Sequence, residues 1–91
     1  MNDNNEQESL LEFPCEFHIK AVGLDENDFD QLVAEIIARH VDDLAEGAIK
    51  TRTSSNGKYL SVTVTINAKN KAQLDAIYVD LSAHDRVMMA L

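Results

Sequence analysis

Residues 54–68, Ser54-Ser55-Asn56-Gly57-Lys58-Tyr59-Leu60-Ser61-Val62-Thr63-Val64-Thr65-Ile66-Asn67-Ala68, decide the fold. Asn56-Gly57 is a turn signal, because both residue types tolerate the positive φ that tight hairpin turns demand. Directly after it Leu60, Val62, Val64, Ile66 and Ala68 alternate with Tyr59, Ser61, Thr63, Thr65 and Asn67. This period of two, rich in β-branched side chains, predicts a strand with one buried face and one open face. The segment before the turn, about 47–54, is polar and basic in the manner of an edge strand. A hairpin therefore spans 47–68.

On the N-terminal side Cys15, Phe17, Ile19 and Ala21 alternate with Glu16, His18 and Lys20, which predicts a half-buried strand that Gly23 ends. Asp25-Glu26-Asn27-Asp28 then supplies a helix start whose acidic first turn suits the helix dipole. Phe29, Leu32, Val33, Ile36, Ile37 and Val41 recur at spacings of mostly three and four, the apolar stripe of a helix over about 27–41. On the C-terminal side Asn70 caps a second helix, with Gln73 three residues on as in a capping box. Ala72, Leu74, Ile77, Tyr78 and Leu81 form its buried side, and Val87, Met89 and Leu91 alternate in a last short strand.

The order β-α-β-β-α-β implies an α+β split arrangement. Two right-handed crossovers put both helices on one face of a four-stranded antiparallel sheet. The other face stays open and is expected to show His18, Lys20, Tyr59, Ser61, Thr63, Thr65 and Asn67, with Met88 from the last strand. Function is expected on that face.

Size and composition narrow the rest. Ninety-one residues suit one domain, taken as residues 10–91, and 45% apolar with 26% charged residues is ordinary globular composition. Residues 1–9 are polar and acidic and are expected to be a disordered leader. Leu10-Leu11-Glu12-Phe13-Pro14, with three large apolar residues, is expected to lie against the domain. A single cysteine, no signal-peptide pattern and no run of roughly 18–20 apolar residues together point to the cytoplasm, without membrane insertion.

Net charge is −8, with Asp3, Glu6, Glu8 and Glu12 and no basic residue in residues 1–12, whereas residues 47–74 contain Lys50, Arg52, Lys58, Lys69 and Lys71 and no acid. The negative total disfavours general nucleic-acid binding. Lys50, Arg52 and Lys58 make a candidate cationic hairpin.

No constellation of catalytic or metal-binding residues stands out, and no cofactor is implied. Cys15 lacks a CxxC partner and belongs on an inward strand face as a small hydrophobe. His18, His40 and His84 match no zinc-ligand spacing. The acids at 25–30 lack the central glycine and distal glutamate of an EF-hand. His84 and Asp85 are adjacent, and adjacent side chains rarely point the same way, so the pair reads as a polar loop and not an acid/base pair. Gly57 leads into a strand where a P-loop would lead into a helix.

Residues 54–68 resemble the signature of the YbeD-like family of small bacterial proteins. Leu10–Pro14 resembles that family's N-terminal segment, Arg39-His40 its first helix end and Val87-Met88-Met89-Ala90-Leu91 its last strand, so the resemblance covers about residues 10–91. It implies a ferredoxin-like fold, similar to regulatory domains of the ACT type, which bind amino acids and pair sheets side by side. It also implies an association with lipoate metabolism through neighbouring genes. The acidic leader and Cys15-Glu16 depart from the family pattern without touching the fold.

The expected function is a non-catalytic binding or regulatory module working through its open sheet face, toward an unidentified protein partner or a second copy of itself. The alternative is a small-molecule sensor of the ACT type, for an amino acid or acyl-carboxylate, built on Val22-Gly23-Leu24-Asp25. RNA binding lacks stacking aromatics beyond Tyr59. An acylphosphatase-like enzyme lacks a basic residue at 22–28.

Overall fold

The computed structural model describes residues 11–91. The expected leader at 1–9 and Leu10 lie outside the described residues. The elements are β1 (Cys15–Leu24), α1 (Phe29–Ala38), a single 3-10 turn (Glu46–Ala48), β2 (Ile49–Thr53), β3 (Tyr59–Ala68), α2 (Lys71–Ser82) and β4 (Met89–Ala90). The four strands form one sheet in the order β2-β3-β1-β4, with every neighbouring pair antiparallel. The βαββαβ order and the α+β class follow.

The hairpin is built by its turn. Gly57 sits at φ 74°, the left-handed conformation for which glycine has no steric cost. Gly57 N–H donates to the Ser54 carbonyl at 2.8 Å, and Tyr59 N–H donates to Ser54 Oγ at 3.0 Å. Strict alternation along β3 then buries Leu60, Val62, Val64, Ile66 and Ala68. In the β1–β3 register Ile19 faces Val64 and Ala21 faces Val62, so the inward residues of both central strands meet. Phe29, Val33, Ile36 and Ile37 of α1 and Leu74, Ile77 and Leu81 of α2 close the core over that face. Cys15 and Phe13 pack half-buried at its margin, while Leu11 is exposed.

Helix α2 begins as its sequence directs. Asn70 Oδ1 accepts from the Gln73 amide at 2.8 Å, and Gln73 Oε1 accepts in return from Lys69 N–H at 2.7 Å, one residue earlier than in the usual box. Asn70→Ala is expected to cost about 1 kcal/mol, the usual worth of such a cap, read as a lower urea midpoint. An unchanged midpoint would mean that the cap is dispensable here.

Three expectations change. The first strand does not stop at Gly23 but runs to Leu24, because a glycine is what the crowded position beneath the Phe29 ring requires. Helix α1 starts at Phe29 without a side-chain cap. Asn27 and Asp28 instead take left-handed conformations, at φ 51° and 55°, that turn the chain out of β1. The Arg86 guanidinium fixes this corner by donating to the carbonyls of Glu26 and Asn27 while lying 5.8 Å over the Phe29 ring.

The third change is the phase of β4. Ala90 pairs with Ala21 and Met89 with Val22, and Leu91 exchanges both backbone hydrogen bonds with Lys20. Partners across an antiparallel pair share a face. Ala90 therefore turns toward the core, whereas Met89 and Leu91 turn outward. Met88, expected on the open face, lies instead on the rim beside Leu24, Glu26, Asp85 and Arg86. Among the described residues no helix is long and apolar enough to cross a membrane.

Candidate functional site

The sheet face away from the helices gathers most of the residues singled out from the sequence. Its centre is the outward row of β3, namely Tyr59, Ser61, Thr63, Thr65 and Asn67, all half-buried except Asn67, which is exposed. On one side β1 contributes His18 opposite Thr65, Lys20 opposite Thr63 and Val22 opposite Ser61. On the other side β2 contributes Lys50 opposite Thr63 and Arg52 opposite Ser61. The candidate interaction face and the candidate cationic hairpin thus merge into one surface. Only Lys58 stands apart, at the turn, with its ammonium 5.5 Å over the Tyr59 ring.

Lys20 and Lys50 flank Thr63 from the two neighbouring strands, so their backbones are about 10 Å apart, twice the usual strand spacing. Arg52 stands one row on from Lys50, opposite Ser61, so the three cations border the Ser61 and Thr63 positions. Lys20, Val22, Arg52, Thr53, Ser54, Tyr59 and Ser61 line a shallow depression of about 270 Å³ that extends from Lys20 and Arg52 toward the hairpin turn. None of the three cations has an ion-pair or side-chain hydrogen-bond partner among the described residues. Glu16 is the one acidic side chain that the described register places on this face. It lies two rows beyond Lys20 and faces His18 at 3.6 Å. His18 also shares a hydrogen bond with Thr65 at 2.8 Å.

Beside the cations lies an apolar strip absent from the sequence reading. Met89 (52% exposed) and Leu91 (61% exposed) stand next to half-buried Val22, with Leu24 one row on. The run Val87–Leu91 is apolar throughout and has no internal period, so only the pairing with β1 reveals which members face out.

The remaining candidates are dispersed. His40 Nε2 meets Asp80 Oδ2 at 2.9 Å, across from the turn after α1 to α2, and Arg39 stands 3.5 Å from the same oxygen. His84 Nδ1 accepts from the Arg86 amide in the loop before β4. The three histidines therefore occupy separate neighbourhoods. No group of three or more His, Cys, Asp or Glu among the described residues is placed to hold a metal ion. Val22, Gly23 and Leu24 are strand and not loop. A Cβ built on Gly23 would lie 2.5 Å from the Arg86 carbonyl oxygen, which leaves no room on the inward side for a ligand there.

The hydrogen bond from His40, with the Arg39 and His40 charges, holds the Asp80 carboxyl below the usual carboxylate range. A depressed carboxyl stabilises the fold above its unfolded value, about 3.9, and that contribution is lost as pH falls through the lower folded value. Asp80→Asn is therefore expected to lower the melting temperature at pH 7. The gap from wild type should narrow as pH falls through the depressed folded value of Asp80, where the carboxyl takes up its proton. A gap that persisted in acid would mean that packing, and not charge, carries the effect.

Fold and surface together define a small ferredoxin-like α+β domain whose uncovered sheet face carries cations, hydroxyls and apolar side chains side by side. The chain belongs to the family described as "Protein of unknown function (DUF493)", whose model matches residues 8–91. A UPF0250 protein of Ectopseudomonas mendocina is 46% identical over 92 residues, covering 100% of both chains. One from Chromobacterium violaceum is 39% identical over 88 residues, covering 97% of this chain and 99% of its own. Among solved structures, the solution structure of protein HP0495 from H. pylori superposes with a TM-score of 0.71. It covers 89% of this chain and 85% of that one at 18% identity, a likeness of fold. The resemblance to the YbeD-like family thus holds over the full chain.

Proposed function

We propose that the chain is a non-catalytic binding module that receives a protein partner on its open sheet face. The observation that carries this reading is the apolar strip of exposed Leu24, Met89 and Leu91 with half-buried Val22, directly beside Tyr59 and the hydroxyl row. A contiguous exposed apolar patch with a polar surround is the signature of an interaction surface. Methionine and tyrosine are both enriched at the centres of such contacts. The hydroxyls add adaptable hydrogen-bonding capacity without a desolvated charge.

The test is an affinity capture from native cell extract, comparing wild type with Tyr59→Ala/Thr63→Glu. Both positions are outward on β3, so the variant should fold. Its new carboxylate would stand between Lys20 and Lys50 and occupy them. The expected result is a partner that wild type retains, that binds again when purified, and that the variant loses. A partner bound equally by both proteins would move function off this face.

A further inference from the structure

We infer that the partner docks through an acidic segment interleaved with apolar side chains, its carboxylates on Lys20, Lys50 and Arg52 and its apolar groups on Val22, Met89 and Leu91. This rests on the reading of the open face as a docking surface and adds the chemistry of what docks. The argument is the segregation of charge. The chain carries −8 overall, yet three cations stand together on one sheet face, opposite Thr63 and Ser61. The helical side holds Asp30, Glu35, Asp75 and Asp80 on α1 and α2, with Asp42 and Asp43 between them.

The cations on that side do find acids, Lys69 pairing with Asp42 at 2.7 Å, Lys71 with Asp75 at 3.0 Å and Arg39 with Asp80 at 3.5 Å. The face cations have no such internal partner among the described residues. A cationic surface on an acidic body steers an anionic partner to one side and repels it from the others. An arginine adds a planar fork that matches a carboxylate, and the depression beside it brings the Tyr59 and Ser61 hydroxyls within the same site.

The surroundings select a protein segment over other anions. A nucleic acid would set its phosphates against a strongly negative molecule and find one aromatic ring, Tyr59, for stacking. It would leave Met89 and Leu91 without a complement. A second copy laid face to face about an axis through this cluster would bring the three cations onto their own equivalents, a like-charge contact that costs affinity. An acidic segment with apolar residues satisfies both halves of the surface.

The test uses a display library of random 12-residue peptides panned on the immobilised full chain, with Lys20→Glu/Arg52→Glu as the counter-target. Enriched peptides are expected to carry several carboxylates and at least two large apolar residues. Their affinity should fall at least tenfold in the charge-reversed variant and also between 50 and 300 mM salt. Enrichment of neutral or basic peptides, or affinity indifferent to the variant, overturns the inference. So does tight binding of a mixed-sequence oligonucleotide, or salt-sensitive self-association in sedimentation that the variant abolishes.

A partner found in the native capture without acidic enrichment in the panning removes this inference and leaves the module reading standing. A blank in both experiments removes both. Met89→Ser/Leu91→Ser separates the two halves of the surface, since it should weaken the same peptides while preserving their salt dependence.

Discussion

Phe29→Ala is expected to cost about 3–5 kcal/mol, the largest single loss in this domain, because it removes a ring that is 1% exposed at the junction of three elements. Phe29 opens α1 immediately after the left-handed pair Asn27–Asp28. Its ring covers Gly23 of β1 and receives the Arg86 guanidinium on its face at 5.8 Å. Alanine would leave a cavity under the helix start and strip the Arg86 stem of its support. Arg86 in turn donates to the Glu26 and Asn27 carbonyls, so the corner between β1 and α1 should loosen with it. Urea unfolding followed by far-UV circular dichroism gives the loss directly. Hydrogen exchange should show lower protection at residues 24–30 than in wild type. A cost below about 1 kcal/mol would mean that the neighbours collapse into the space, and the ring would not be the support described.

That corner also shows where the sequence stops being informative. The hairpin was legible because Asn56-Gly57 and the alternation of β3 are local signals that need no partner to interpret. The outward placement of Lys50 and Arg52 was legible in principle as well. Once Ser54 is set opposite Tyr59, period two carries Arg52 to Ser61 and Lys50 to Thr63. The cationic hairpin and the open face were one surface on that count. By contrast, Asp25–Asp28 has the composition of a helix start, but Asn and Asp are also the residues that best tolerate positive φ. The corner that forms is held by Arg86, far away in sequence, through the Glu26 and Asn27 carbonyls. The uniform apolar run Val87–Leu91 has no period to read, so its phase is set by Ala90 pairing with Ala21. The apolar half of the candidate site was hidden partly for that reason and partly because a strand that ends at Gly23 leaves Leu24 without a place on the open face.

Gly23→Ala is the second large effect expected, and its cause differs from a strand glycine's usual one. Alanine in a strand normally stabilises relative to glycine, since it lowers the entropy of the unfolded chain by about 0.4–1 kcal/mol. Here the added Cβ would stand 2.5 Å from the Arg86 carbonyl oxygen and 2.5–2.6 Å from two carbons of the Phe29 ring. One obstacle is backbone and the other a buried ring, so neither can step aside as a surface side chain would. Overpacking of this kind costs about 1–3 kcal/mol after relaxation, and the sign of the substitution reverses. The melting temperature should fall by roughly 4–8 °C for each kcal/mol lost. A double-mutant cycle with Phe29→Ala separates the two obstacles. The Gly23→Ala penalty should shrink once the ring is gone but not vanish, because the Arg86 carbonyl remains. A penalty unchanged by Phe29→Ala would place the whole clash on the backbone of the loop before β4. A stabilising Gly23→Ala would mean that β1 and α1 are further apart than the packing of Phe29 over Gly23 requires.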